Sequence, residues 1–102
     1  SGSFVFTSGQ IGIDPATGAI PDGIEAQAHQ VFRNLTAVLQ AAGSDMSKAV
    51  KTTVFIKKMD DFATVNALYA GYFSEPFPAR SCVEVARLPT DVLVECEVIA
   101  EA

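Results

Sequence analysis

Two β-patterned segments between Pro78 and Glu97 limit the folds that are open to this chain. Polar and apolar residues alternate in Ser81–Val85 and, more clearly, in Val92–Ala100. Successive side chains of a strand point to opposite faces, so one face of the second segment is predicted to meet a core. The core-facing set is Val92, Val94, Cys96, Val98 and Ala100, and the outward set is Leu93, Glu95, Glu97 and Ile99. Leu88–Asp91 is predicted to be the turn, because proline presets φ and aspartate can bond its own backbone.

Arg80 enters the first segment from the extended Pro78-Ala79 dipeptide. An arginine fixed at a strand start, with a carboxylate of the second segment on the face away from the core, is a candidate small-anion site. An ordinary ion pair at the sheet edge is the simpler interpretation, because most surface arginines are solvated. The pattern alone leaves both open.

The N-terminal part, Ser1–Ile13, is predicted to be rich in β-structure, with an apolar run at Phe4–Phe6 that resumes at Ile11–Ile13. Gly9 interrupts the run, which indicates either a close backbone approach or a simple bend. Asp14–Gly18 has the composition of a turn.

A first helix is predicted over Ile24–Ala42, between Gly23 and Gly43. Its apolar stripe predicts one buried face. The stripe consists of Ile24, Ala28, Val31, Leu35, Val38 and Leu39. His29, the only histidine, lies off this stripe and is predicted to face solvent.

Val50–Lys57 is predicted to be an interior strand with Val50, Thr52, Val54 and Ile56 on one face. A second helix is predicted over Phe62–Phe73, capped by Asp60 or Asp61. Its buried stripe is Phe62, Val65, Tyr69 and Phe73. Asn66 lies off this stripe, where it is either solvated or directed at a site.

This order of elements predicts one α+β domain over residues 1–102, with two layers: a mixed β-sheet and two helices packed on one sheet face. The other face carries apolar residues and charges, and an apolar sheet face without helices needs another cover. Its apolar members are Phe55, Leu93, Ile99 and Val83 or Val85. Assembly of several copies through the sheet is therefore expected.

The composition and the motif content argue against several classes of function. The net charge is −5 without a basic run, which disfavours nucleic-acid partners. No apolar stretch is long enough for a membrane span, and two cysteines outside any CxxC motif predict reduced thiols in a cytoplasmic protein. No metal-ligand cluster, nucleotide loop or nucleophile elbow is visible, so neither a metal nor a cofactor is expected.

Nearly the whole chain resembles the Rid family, the reactive-intermediate imine deaminases, also called YjgF-type or L-PSP endoribonuclease-like proteins. The resemblance is carried by short motifs in a fixed order. They are Thr7-Ser8-Gly9-Gln10, Asp14-Pro15, Lys51-Thr52-Thr53-Val54, Asp61-Phe62 through Asn66 to Tyr69, Pro78-Ala79-Arg80-Ser81, Leu88-Pro89 and Val94-Glu95.

The resemblance implies a chorismate-mutase-like fold assembled as a trimer, with sites in the clefts between subunits. It implies hydrolysis of 2-iminobutanoate, 2-iminopropanoate and similar enamine or imine acids, released by pyridoxal-phosphate enzymes, to 2-keto acids and ammonia. Arg80 matches the residue that clamps the substrate carboxylate, and Glu95 matches the one that positions or deprotonates water. Cys82, through its backbone carbonyl, and Asn66, Gly9 and Ser8 match residues that line the pocket.

One departure concerns the N-terminus. The family has a further segment there with a tyrosine that closes the cleft, and this sequence begins directly at the Phe4–Thr7 strand, as if that segment were missing. Two alternatives to the deaminase remain. One is an endoribonuclease or translation inhibitor, against which the acidic balance speaks. The other is a non-catalytic binder of small carboxylates.

Overall fold

Four strands and two helices follow one another in a computed structural model that describes residues 2–102. In chain order they are β1 (Phe4–Phe6), α1 (Ile24–Ala41), β2 (Ala49–Ile56), α2 (Phe62–Tyr72), β3 (Ala79–Glu84) and β4 (Val94–Glu101). The predicted β-rich opening therefore reduces to β1 and a single bridge from Gln10 to Cys96, without a strand at Ile11–Ile13. Ser1, where that prediction began, lies outside the described residues.

The four strands form one mixed sheet in the order β1-β4-β2-β3. β4 runs antiparallel to both β1 and β2, whereas β3 runs parallel to β2 after the crossover through α2. The interior position predicted for the Val50–Lys57 strand is confirmed, since β2 lies between β4 and β3. The two segments between Pro78 and Glu97 are thus not neighbours, because β2 separates them.

Both helices cover one face of the sheet and bury alternate residues of the strands against it, which confirms the predicted α+β fold class. All five residues predicted to point inward from the last segment are buried, although β4 itself begins only at Val94. Thr52, Val54 and Ile56 of β2 share this face.

Helix α1 ends shortly before Gly43, as the sequence predicts. Gly43 has a φ of 85°, the Gly43 N–H donates to the carbonyl of Gln40 at 3.1 Å, and the Ser44 N–H donates to that of Leu39 at 2.8 Å. This is a Schellman motif, which satisfies carbonyls that the last helical turn leaves without a partner.

Several predictions about α1 are corrected by its packing. Val38, predicted to be buried, is 37% exposed, whereas Phe32, absent from the predicted stripe, is fully buried. His29 does not face solvent: it is half-buried, and its Nδ1 lies 3.0 Å from the Tyr72 hydroxyl on α2. The reason is that α1 packs on α2 as well as on the sheet, which turns its buried face toward Phe32 and His29.

Two local predictions also differ from the structure. The β2–β4 register shifts between Ala49 and Lys51, and this bulge leaves Val50 38% exposed instead of buried. No side-chain cap is made by Asp61 at the start of α2. A short 3₁₀ turn, Met59–Asp61, leads directly into α2 and occupies the place of the predicted cap.

The face of the sheet opposite the helices is uncovered, as predicted. Phe6, which pairs with Ile99 in the β1–β4 register, is 71% exposed, and Phe4 and Val83 are 53% and 42% exposed. Among residues 2–102, no helix combines the length and apolarity needed to cross a membrane.

Candidate functional site

Arg80 lies near the start of β3, the edge strand beside α2. It pairs with Thr52 of β2, so its side chain projects on the sheet face that the helices cover. There its Nη1 donates a hydrogen bond of 2.6 Å to Oδ1 of Asn66. Its Cζ lies 4.7 Å from the ring centroid of Tyr69 and 5.4 Å from that of Phe62.

All three contacts of this guanidinium come from one side of α2. Phe62, Asn66 and Tyr69 are spaced i, i+4 and i+7, and residues at that spacing lie on one helix face. Asn66 is exposed, and its side-chain oxygen accepts a hydrogen bond from Arg80, so its direction toward a site stays a prediction.

An open cleft of about 390 Å³ adjoins the arginine, and we call it the arginine cleft. It is lined by Asn66, Tyr69, Ala70, Phe77, Pro78 and Arg80. Its volume is within the range of small-ligand sites. A cationic group beside apolar surface suits a small molecule that has a carboxylate and a short hydrocarbon part.

Cys82 follows two residues after Arg80 on the same face of β3 and is half-buried. Burial raises the pKa of its thiol, an effect that the positive charge of Arg80 opposes but does not cancel. The thiol is thus protonated at neutral pH, and thiolate chemistry at Cys82 is disfavoured.

Glu95 does not lie in the arginine cleft. It pairs with Phe55 in the β2–β4 register and lies on the uncovered face of the sheet, close against Gly9. A Cβ on Gly9 would be 2.8 Å from Cδ of Glu95 and closer still to Oε2, so the glycine marks a close approach and not only a bend. We call Ser8, Gly9 and Glu95 the glutamate group. The carbonyl of Ser8 accepts a bond of 3.4 Å from Gln10 Nε2.

The pKa of the Glu95 carboxyl is raised, first by its partial burial and second by the negative charge of Glu97. A carboxyl with a raised pKa accepts a proton more readily than an ordinary surface glutamate.

Within one chain the arginine cleft and the glutamate group do not meet. Arg80 and Glu95 lie on opposite faces of the sheet, on strands that β2 separates. The ion pair between them considered from the sequence is wrong: among residues 2–102 the salt bridge that forms joins Arg87 to Asp91.

Sequence reasoning missed how Tyr69 and Phe62 contribute to the cleft. The sequence predicts both only as core residues of α2, and it does not predict their contact with Arg80. Their i, i+7 spacing around Asn66 was a usable signal, but it needs the parallel pairing of β3 with β2 to become a contact.

Fold and site together define a class, a small two-layer α+β domain with an arginine stacked on a helix at the sheet edge and a bare opposite face. The family model described as Endoribonuclease L-PSP matches residues 1–102. The chain belongs to this family, which includes the YjgF and Rid proteins.

Three relatives illustrate the similarity. A Salmonella typhimurium protein named 2-iminobutanoate/2-iminopropanoate deaminase is 57% identical over 97% of this chain and 80% of its own length. The crystal structure of RidA from Psychrobacter is 42% identical, with a TM-score of 0.96 over 100% of this chain and 83% of that one. Escherichia coli TdcF with bound serine is 45% identical, with a TM-score of 0.93 over 99% and 82%.

Proposed function

We propose that this protein hydrolyses 2-imino acids and their enamine tautomers, such as 2-iminobutanoate and 2-iminopropanoate, to 2-keto acids and ammonia. The observation that carries the proposal is the arginine held in an open cleft by Asn66 and Tyr69, in a chain that matches the family throughout. The name of the Salmonella relative and the serine bound to TdcF support the same class of ligand, a small molecule with a carboxylate beside a nitrogen.

Arg80 clamps the substrate carboxylate in this scheme. A guanidinium can bind a carboxylate through two parallel N–H bonds, which a lysine cannot reproduce. Within residues 2–102 Asn66 occupies only Nη1, so Nε and Nη2 are free to donate to a ligand.

Glu95 acts on the attacking water. The water oxygen bonds to C2 while the C=N electron pair moves to nitrogen, and Glu95 takes the proton released. Glu95 then returns that proton to the nitrogen, which becomes an amine. Glu95 next carries the proton of the C2 hydroxyl to the same nitrogen as the C–N bond breaks, so that ammonia leaves and the ketone forms. The raised pKa of Glu95 suits both proton transfers. Gly9, Ser8 and the backbone carbonyl of Cys82 line the pocket.

The two halves of this site come from different copies of the chain. Arg80 and Glu95 point away from each other across the sheet, so a small substrate cannot contact both in one chain. The bare apolar face around Phe6 needs a partner, and Glu95 lies on that face. Packing of these faces in a homotrimer brings the glutamate group of one subunit to the arginine cleft of the next.

Mixing two inactive variants tests this arrangement. Arg80→Ala and Glu95→Ala subunits are denatured together, refolded together and assayed by coupling to an amino-acid dehydratase that releases 2-aminoacrylate. If a site uses one residue from each of two subunits, about a quarter of the sites regain both residues, with a similar share of wild-type activity. Activity no higher than that of either variant alone would contradict a shared site.

The same assay tests the activity itself. Wild-type protein accelerates pyruvate formation, and Arg80→Lys raises KM on the order of tenfold or more because the bidentate clamp is lost. Wild-type protein that binds a 2-keto acid without accelerating the reaction would instead favour a non-catalytic carboxylate binder.

We place this reaction in the cytoplasm, where the free thiols of Cys82 and Cys96 are kept reduced. Neither a membrane nor a nucleic acid takes part in it.

A further inference from the structure

The arginine of the cleft is held unusually well for an exposed side chain. An exposed arginine ordinarily samples many rotamers, and fixing it costs conformational entropy whenever a ligand binds. Here one N–H is bonded to Asn66 and the guanidinium lies over the ring of Tyr69. The strength of the clamp therefore depends on how firmly that ring is fixed.

Tyr69 is fixed by a buried hydrogen bond. Its hydroxyl lies 2.8 Å from Oγ1 of Thr52, and the two residues are 4% and 0% exposed. Its ring also packs on Phe73, with centroids 4.4 Å apart, and edge-on against Phe32 at 5.9 Å. A buried bond between neutral hydroxyls in packed surroundings leaves the ring little freedom.

Thr52 connects Tyr69 to the backbone of Arg80, because it is also the cross-strand partner of Arg80 in the β2–β3 register. Thr52, which lies beside the Arg80 backbone, bonds to the Tyr69 hydroxyl, and the Tyr69 ring contacts the Arg80 guanidinium. The strand that sets the position of the arginine backbone also sets the surface on which its side chain rests.

We propose that Tyr69 is a positioning residue, which preorganises the Arg80 guanidinium for a carboxylate through its bond to Thr52 and its stacked ring. The inference rests on the proposed carboxylate clamp and adds a determinant of its affinity. A group held in its binding orientation before the ligand arrives loses less entropy on binding, so the effect appears in substrate affinity.

Two substitutions separate the ring from the hydroxyl. Tyr69→Leu removes the stacked ring, and we expect KM for 2-aminoacrylate and Kd for pyruvate to rise about tenfold. We expect kcat to change less than twofold, since an interaction made equally in ground and transition states affects KM alone. Tyr69→Phe keeps the ring and loses only the bond to Thr52, with an expected rise of about threefold.

Tyr72→Phe is the matched control. It removes a tyrosine hydroxyl from the same helix, one that bonds to His29 and is not among the side chains that contact the Arg80 guanidinium. A general loss of helix packing would raise KM in this variant as well, whereas the positioning role leaves its KM and Kd at wild-type values. Circular dichroism and thermal melting confirm that each variant is folded before its Kd is compared.

Arg80→Lys separates failure of this inference from failure of the proposed function. If Arg80→Lys weakens pyruvate binding and folded Tyr69→Leu does not, the clamp stands and the positioning role of Tyr69 is overturned. An equal rise in Kd for Tyr72→Phe and Tyr69→Phe also overturns it. If Arg80→Lys binds pyruvate as tightly as wild type, the carboxylate clamp itself is wrong and the inference falls with it.

Discussion

At the scale of single residues, Gly9 controls the position of Glu95 because no side chain fits between them. Gly9→Ala would place a Cβ 2.8 Å from Cδ of Glu95 and force the carboxylate away. We expect kcat to fall on the order of tenfold or more, because small displacements of a catalytic group are costly. The melting temperature should change little, because the displaced atoms are the end of a flexible side chain. Steady-state kinetics and calorimetry measure the two effects.

Gly12→Ala is the comparison for that experiment. A Cβ on Gly12 would lie 2.9 Å from the backbone carbonyl oxygen of Gln27, and backbone cannot swing aside. We expect this variant to lose stability while its folded fraction keeps wild-type kcat. An unchanged kcat in Gly9→Ala would contradict the role given to Glu95 at this contact.

The pH response of Glu95 is a second prediction at this scale. Burial and Glu97 raise its pKa above the ordinary value of 4.5, so the folded protein holds this proton more tightly than the unfolded chain. The associated stability is full below the unfolded pKa and is lost as pH rises through the folded pKa. Glu97→Gln removes the second cause, and we expect the Glu95 pKa to fall toward 4.5. Carboxyl NMR titration of both proteins measures it, and a pKa that does not fall would remove Glu97 as a cause.

At the scale of elements, Gly71 lies inside helix α2 at a position where no close contact or unusual backbone angle requires a glycine. Nothing lies within 4 Å of a Cβ on Gly71, and alanine is the better helix former. We expect Gly71→Ala to raise the free energy of unfolding by about 0.5–1 kcal/mol. Gly43→Ala should instead lower it by about 1–2 kcal/mol, since φ there is 85°. Denaturant unfolding of both variants tests the contrast, and two changes of the same sign would contradict it.

The elements also mark the limit of what the sequence predicts. Alternation placed Val94, Cys96 and Val98 on the buried face correctly, because strand geometry is local. Val50 does not follow this alternation, because it lies at a β-bulge, and a bulge depends on the register with another strand. His29 was misplaced because α1 packs on α2, a contact that the periodicity of one helix does not contain.

At the scale of the whole molecule, the sequence motifs name candidate site residues but do not predict how these residues are arranged in space. The family motifs single out Arg80 and Glu95 together, and nothing in their spacing reveals that they lie on opposite faces of the sheet. That fact follows from β2 standing between β3 and β4, a long-range pairing. The geometry then makes assembly a requirement of the proposed activity and not only of solubility.

Disrupting the bare face should therefore abolish assembly and activity together. Phe6 is 71% exposed on that face and far from Arg80 in the sheet order, so Phe6→Asp places a charge in the expected interface without touching the arginine cleft. We expect sedimentation equilibrium to give the monomer mass, and deaminase activity to fall to background although Arg80 and Glu95 are intact. Ala26→Asp is the control, because Ala26 is exposed near the start of α1, on the side of the sheet that the helices cover. We expect this control to keep the mass and the activity of the wild-type assembly. A Phe6→Asp monomer with full activity would show that one chain holds a complete site, and the shared site would have to be abandoned.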